Sequence, residues 1–214
     1  KYLISHGVTC IDFVLISHLH DDHANGIGVL SDKLPIGELI FPDTEGDVGL
    51  YADLTVLAEE RNIPVTVLQE DTFRDFGGGT VLFFTRHLDP QAEDQNENSV
   101  AALFKFGKFD ALLTGDITAD AEFRLLENYK GKLRCDVLSV PHHGSAYSST
   151  VSFLNAARPS YAVISVGAEN SYGHPSDTVL SRLTVSCKMI LRTDTGGTVE
   201  FLTDGTRMEV YQGQ

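Results

Sequence analysis

The sequence predicts an α/β domain in which sheets pack face to face and helices cover the outside. Two observations carry this expectation. Short apolar runs of strand character follow one another between residues 63 and 114, separated by glycine turns such as Gly77-Gly78-Gly79 and Phe106-Gly107-Lys108. Helical patterns are interspersed before and after that series, with less regular alternation than a doubly wound parallel sheet requires. The chain has 214 residues and is 42% hydrophobic, enough for a real core and consistent with one domain over residues 1–214.

Taken in order, residues 11–17 read as a buried strand and residues 26–33 as a short helix. Residues 38–42 suit a strand, 53–61 a helix, and 63–68 a strand with Pro64 near its start. Strands at 72–76, 80–85, 99–106 and 109–114 form the series. A helix opens at Thr118, with Asp120 and Glu122 in the first turn, where the helix dipole favours anions. Residues 136–140 and 161–166 read as strands and 149–157 as a helix. A helix over 175–183 carries Pro175 at its first position. Strands at 187–191, 198–202 and 207–211 close the chain.

The net charge of −14 argues against broad, nonspecific nucleic-acid binding. It does not exclude a phosphodiester substrate, because bound dications reverse the local sign. The acidic run Glu93-Asp94 reads as a solvated loop. Cys10, Cys135 and Cys187 are widely spaced, odd in number and without a CxxC, so neither a disulfide framework nor a zinc ribbon is indicated. Cys135 and Cys187 flank apolar strands and suit packing as small hydrophobes. No apolar run reaches membrane-spanning length and no signal segment opens the chain, so a soluble domain is expected.

The strongest chemical signal is His18-Leu19-His20-Asp21-Asp22-His23, an HxHxDH motif at the mouth of the first strand. Alternation along an extended chain sends His18 and His20 the same way, while Asp22 and His23 turn toward a second point. Imidazoles with carboxylates suit zinc, manganese or iron better than calcium. Downstream, Asp116 leaves the strand of Leu112-Leu113-Thr114-Gly115-Asp116, where it serves either as a helix cap or as a carboxylate bridging two cations. Beside HxHxDH the bridging reading is preferred. His142-His143 follow another strand. Adjacent rings point apart, so one is expected to coordinate and the other to hold a substrate oxyanion or donate a proton. Ser145, Ser148 and Ser149 suit loop and helix-start roles rather than nucleophilic ones. His174 sits at a third strand exit before a helix, a natural anion site. His6 and His87 are isolated and are expected at the surface.

These residues resemble the metallo-β-lactamase fold superfamily. The ordered set Asn96-Glu97-Asn98-Ser99-Val100, LLTGD ending at Asp116, Pro141-His142-His143-Gly144-Ser145, Ser165-Val166-Gly167, Asn170 with Tyr172-Gly173-His174-Pro175, and Arg192-Thr193-Asp194 is similar to the hydrolase domain of ComEC-type DNA-uptake proteins. The likeness runs from Tyr2 to Leu202. It implies an αββα sandwich with two divalent metal ions, zinc or manganese, at one edge. By that resemblance His18 and His20 hold one ion, Asp22 and His23 the other, and Asp116 bridges. Similarity to bacterial phosphorylcholine esterases points to His143 as the remaining ligand and His142 as a substrate contact. Asn96 to Ser99 occupy the stretch where other members place a further histidine, so the first ion is expected to have fewer protein ligands.

The family opens with several strands before the metal loop, whereas seventeen residues precede His18 here, so the chain is expected to be a fragment lacking some N-terminal strands. The implied activity is metal-dependent hydrolysis of a phosphodiester, with single-stranded DNA as substrate in a competence context. Asp22, Asp116, His142 and His174 would act on it. The implied setting is extracytoplasmic or membrane-associated, with an upstream membrane channel domain as partner. A small-phosphoester hydrolase and a non-catalytic, metal-stabilised module of a transport protein are the alternatives.

Overall fold

The computed structural model describes residues 2–43, 48–89 and 91–213. Its first sheet is parallel, in the order β1 (Val14–Leu15), β2 (Leu39–Pro42), β3 (Val65–Leu68). The second sheet contains β4 (Thr72–Phe76), β5 (Gly79–Phe84), β6 (Ala101–Phe106), β7 (Phe109–Leu113), β8 (Val137–Ser139), β9 (Tyr161–Ile164) and β10 (Met189–Arg192), laid side by side in chain order. β4 to β7 pair antiparallel, whereas β7 to β10 pair parallel. β11 (Thr198–Thr203) and β12 (Met208–Gly213) form a separate antiparallel ribbon. The helices are α1 (Tyr2–Ser5), α2 (Asp21–Ala24), α3 (Gly26–Ser31), α4 (Val48–Glu60), α5 (Ala119–Asn128), α6 (Val151–Ala157), α7 (Asp177–Ser186) and α8 (Thr193–Gly196).

Period-two alternation divides the apolar side chains into three layers. In β2, Ile40 faces Leu68, Val81, Phe83, Val100 and Ala102 between the two sheets. Its neighbours Leu39 and Phe41 face the opposite way, onto Ile27 of α3 and Leu54 and Ala58 of α4. β6 behaves alike: Ala102 joins the intersheet layer, while Ala101 and Leu103 meet Leu125 of α5, Phe153 of α6 and Leu183 of α7. Helix, sheet, sheet, helix is therefore the order of layers, an αββα sandwich. Phe83 and Phe153 are fully buried, and each such side chain contributes about 1.5–3 kcal/mol.

Three expectations are corrected. Residues 11–17 are mostly half-buried, and only Val14–Leu15 is regular strand, although the N–H groups of Ile11, Val14 and Ile16 donate to the carbonyls of Pro35, Glu38 and Ile40. The helix expected at 53–61 already begins at Val48. Pro175 lies outside α7: Ser176 is the cap, its hydroxyl accepting the N–H of Val179 at 3.3 Å. The cysteines behave as small hydrophobes where expected, with Cys135 buried and Cys187 half-buried. No helix among the described residues is long and apolar enough to cross a membrane.

Candidate metal centre

Topology gathers the candidate residues at one edge. β7, β8 and β9 run parallel, so their C-terminal ends coincide. Asp116 leaves β7, His142 and His143 leave β8, and Ser165 leaves β9. β6 runs against β7, which brings the residues before β6 to the same edge, and Phe84 at the end of β5 pairs with Ala101. The first sheet delivers His18 and His20 after β1, with Asp22 and His23 on the single turn of α2. A bond from the N–H of Val100 to the carbonyl of Ser17, 2.9 Å, ties the two sheets together at this point.

The side chains meet in two groups that share His23. One comprises His18, His23 and Asp116; the other comprises Asp22, His23 and His143. Nε2 of His23 lies 3.3 Å from Oδ1 of Asp116 and 3.7 Å from Oδ2 of Asp22. Nε2 of His143 lies 3.4 Å from Oδ2 of Asp116 and 3.5 Å from Oδ2 of Asp22. His20 joins through its Nδ1, 3.1 Å from Nε2 of His18. Tetrahedral ligand atoms held about 2.1 Å from one ion lie about 3.4 Å apart, so this spacing suits a shared cation.

The hydrogen bonds support the same fit. Nδ1 of His143 sits 2.7 Å from the carbonyl of Ser165, which only accepts; that nitrogen therefore carries a proton and Nε2 faces the carboxylates. Nε2 of His23 and of His143 are buried and have no hydrogen-bond partner among the described residues, which fits a role as metal-ligand atoms. Burial pushes the Asp116 carboxyl up, but the neighbouring His143 and His23 imidazoles outweigh it and hold the group far below the usual carboxylate range. The adjacent Asp116 carboxylate raises His143 to about 9, against the opposing effect of burial. Burial, aided by the neighbouring His23, lowers His18 to about 3 and keeps it neutral, the form that binds metals.

His142 and His143 both take φ of 53°, a left-handed conformation that costs an ordinary residue about 1–2 kcal/mol. Their ring planes differ by 71°, so the two imidazoles face different neighbours. His142 stands 3.9 Å from Asp116 and meets His174 edge to face, with centroids 5.8 Å apart. Burial lowers both. Asn170 clamps the backbone of His174, accepting its N–H at 2.9 Å and donating to its carbonyl at 2.8 Å. A cavity of about 300 Å³ opens beside Asp22 and His143, floored by Ser165 to Gly167 and walled by Tyr172 and His174. Tyr172 is exposed and stacks on His174. Ser148 is fully buried and donates to the carbonyl of Ile117, and the N–H of Ser149 donates to Glu122, so these serines are tied into the scaffold.

His6 is at the surface, whereas His87 is not: it is fully buried, with Nε2 donating to the carbonyl of Ser99 at 2.9 Å. No local pattern marks it, since its partner lies twelve residues on and is brought there by the β5–β6 pairing. Ser17 and Ser99 were equally hidden; both hydroxyls approach Nδ1 of His18, at 3.1 and 3.2 Å. The adjacency of Ser17 to His18 and the place of Ser99 in the string Asn96-Glu97-Asn98-Ser99-Val100 were the signals in the sequence.

Burial lowers the His87 imidazole from 6.5 to about 4, so the fold holds it neutral where an unfolded chain would take a proton. The sign follows from linkage: the penalty is absent above pH 6.5 and grows as pH falls toward 4, reaching about 3 kcal/mol. Urea unfolding between pH 4 and 7 should therefore show a flatter stability profile for His87→Phe than for the wild type. Parallel profiles would contradict this.

A family model described as the metallo-beta-lactamase superfamily matches residues 9–168, a span that includes the HxHxDH motif, Asp116 and His142-His143. Competence protein ComA of Neisseria gonorrhoeae is 33% identical over 195 residues, 91% of this chain and 26% of its own. ComE operon protein 3 of Bacillus subtilis is 30% identical over 207 residues, 94% of this chain and 26% of its own. The chain thus spans about a quarter of the length of these curated relatives. Among solved structures, CmlA, a diiron beta-hydroxylase from Streptomyces venezuelae, matches with a TM-score of 0.54 at 15% identity, covering 85% of this chain and 44% of that one. At that identity the likeness speaks for the fold alone.

Proposed function

Since the chain belongs to the metallo-beta-lactamase superfamily, whose members are usually metal-dependent hydrolases, we propose that it hydrolyses phosphodiester bonds in single-stranded DNA with two divalent cations, zinc or manganese. The observation that carries this reading is the pair of ligand groups sharing His23, with Asp116 within 3.4 Å of both His23 and His143. The competence relatives favour DNA over other phosphodiesters. His18, His20 and Asp116 would hold one ion, and Asp22, His23, His143 and Asp116 the other. When bound, such ions supply Lewis acidity and an activated water at neutral pH.

The chain's own groups do the rest. Ser165 fixes the tautomer of His143 through its carbonyl. His142 and His174, both kept neutral by burial, offer N–H donors to phosphoryl oxygens and to the departing alkoxide. The cavity walled by Tyr172 and His174 receives the nucleotide next to the scissile bond. Within a longer protein like its relatives, the domain would work outside the cytoplasm or at a membrane, beside a channel that passes DNA.

The test is cleavage of single-stranded DNA by the purified chain with Mn²⁺ or Zn²⁺, beside Asp22→Ala, Asp116→Ala and a panel of chromogenic phosphodiesters. Metal-dependent cleavage is expected, lowered on the order of 10²-fold in Asp22→Ala and more in Asp116→Ala. Cleavage without metal, or equal in both variants, would end the proposal. Turnover of the small esters with none of DNA would assign a small-phosphoester hydrolase instead, and fewer than one ion per chain would point to a non-catalytic module.

A further inference from the structure

We propose that Ser99 is a positioning residue of the metal centre, setting the tautomer of His18 and the backbone of Asp116 with one hydroxyl, and that buried His87 holds Ser99 in place. The proposal rests on the reading that His18 and Asp116 bind metal. Ser99 is fully buried at the sheet edge, just before β6. Its Oγ accepts the backbone N–H of Asp116 at 3.0 Å and lies 3.2 Å from Nδ1 of His18.

A serine hydroxyl has two lone pairs and one proton. One lone pair is taken by Asp116. The other accepts the Nδ1–H of His18, which leaves Nε2 of that ring bare. Nε2 is the atom that faces Nδ1 of His20 at 3.1 Å, so a bare nitrogen of His18 then points where a cation would sit. The opposite tautomer would place an N–H there and block coordination. Ser17 also approaches Nδ1 of His18, but among the described residues it makes no hydrogen bond to Asp116 and is shared with Nδ1 of His23 at 3.5 Å. Ser99 thus joins His18 of the HxHxDH loop to the backbone of Asp116 at the exit of β7.

The position of Ser99 is itself fixed from behind. Nε2 of His87 donates to its carbonyl. Arg124 on α5 then fastens both supporting segments, donating from Nε to the carbonyl of His87 at 2.8 Å and from its guanidinium to the Glu97 carboxylate at 2.7 Å. Nothing in this chain of contacts reaches the cavity, so its role is orientation rather than chemistry.

Two readouts on the 214-residue chain decide the matter. The first is ¹⁵N NMR of the histidine rings in metal-free protein, which distinguishes Nδ1–H from Nε2–H without any ion. The wild type should show His18 as Nδ1–H, and Ser99→Ala should shift it toward Nε2–H or a mixture. The second is zinc affinity by chelator competition, expected to weaken about 10- to 100-fold in Ser99→Ala and less in Ser17→Ala. His87→Phe should give an intermediate loss. An unchanged tautomer and unchanged zinc affinity in Ser99→Ala, or a larger effect of Ser17→Ala, would overturn the proposal. A wild type that binds no zinc would defeat the metal reading, while the ring spectra would still decide what Ser99 does.

Discussion

Asp116→Asn is expected to lower metal-dependent hydrolysis on the order of 10³-fold or more and to reduce bound metal by about one ion per chain. The carboxylate is 5% exposed and spans the centre, with Oδ1 beside His23 and Oδ2 beside His143. Asparagine keeps the shape and one acceptor but not the charge, and its second terminal atom is a donor that would face imidazole nitrogens needed as ligands. The backbone bond to Ser99 is untouched, so the variant should fold. Metal content by elemental analysis, measured alongside cleavage, separates loss of an ion from loss of structure. A variant that keeps full metal content would show that Asp116 is not a ligand.

The second large effect is expected one residue earlier. Gly115 has φ of +55°, and a Cβ there would lie 2.8 Å from Cβ of Ser17 and 3.0 Å from Cβ of Ser99. Gly115→Ala combines the left-handed cost of about 1–2 kcal/mol with overpacking of about 1–3 kcal/mol. The sum, about 2–5 kcal/mol, is a large part of the 5–15 kcal/mol typical of a domain. Gly131→Ala is the control: its φ is +81°, but a Cβ there meets nothing within 4 Å. Urea midpoints should fall much further for Gly115→Ala, and relief of the clash would move Asp116 and weaken metal binding as well. Equal midpoints would mean that Ser17 and Ser99 yield freely.

Much of the site was legible because its residues lie in short, chemically distinctive strings. HxHxDH, the LLTGD ending at Asp116 and the paired histidines each follow an apolar run, and parallel strands bring such exits together. The layered sandwich was legible from a series of strands flanked by helices. What stayed hidden depends on pairing across the chain. His87 looks like any loop histidine until β5 and β6 align and present it with the carbonyl of Ser99. Pro175 suits a first helical turn on its own, but the hydroxyl of Ser176 caps the helix and sets its start two residues later, at Asp177. Helix α4 begins ahead of the expected residue 53, since Leu50 and Tyr51 already pack against the core from its first turns.

The bond between Val100 and Ser17 has a mechanical meaning. One sheet carries the histidine loop and the other carries Asp116 and His143, so any movement of sheet against sheet displaces the opposing ligands relative to one another. The Ile40, Phe83 and Leu68 side chains therefore act as a spacer whose thickness sets the width of the reaction centre. Trimming one of them would detune the centre from a distance, without altering any group that touches the substrate.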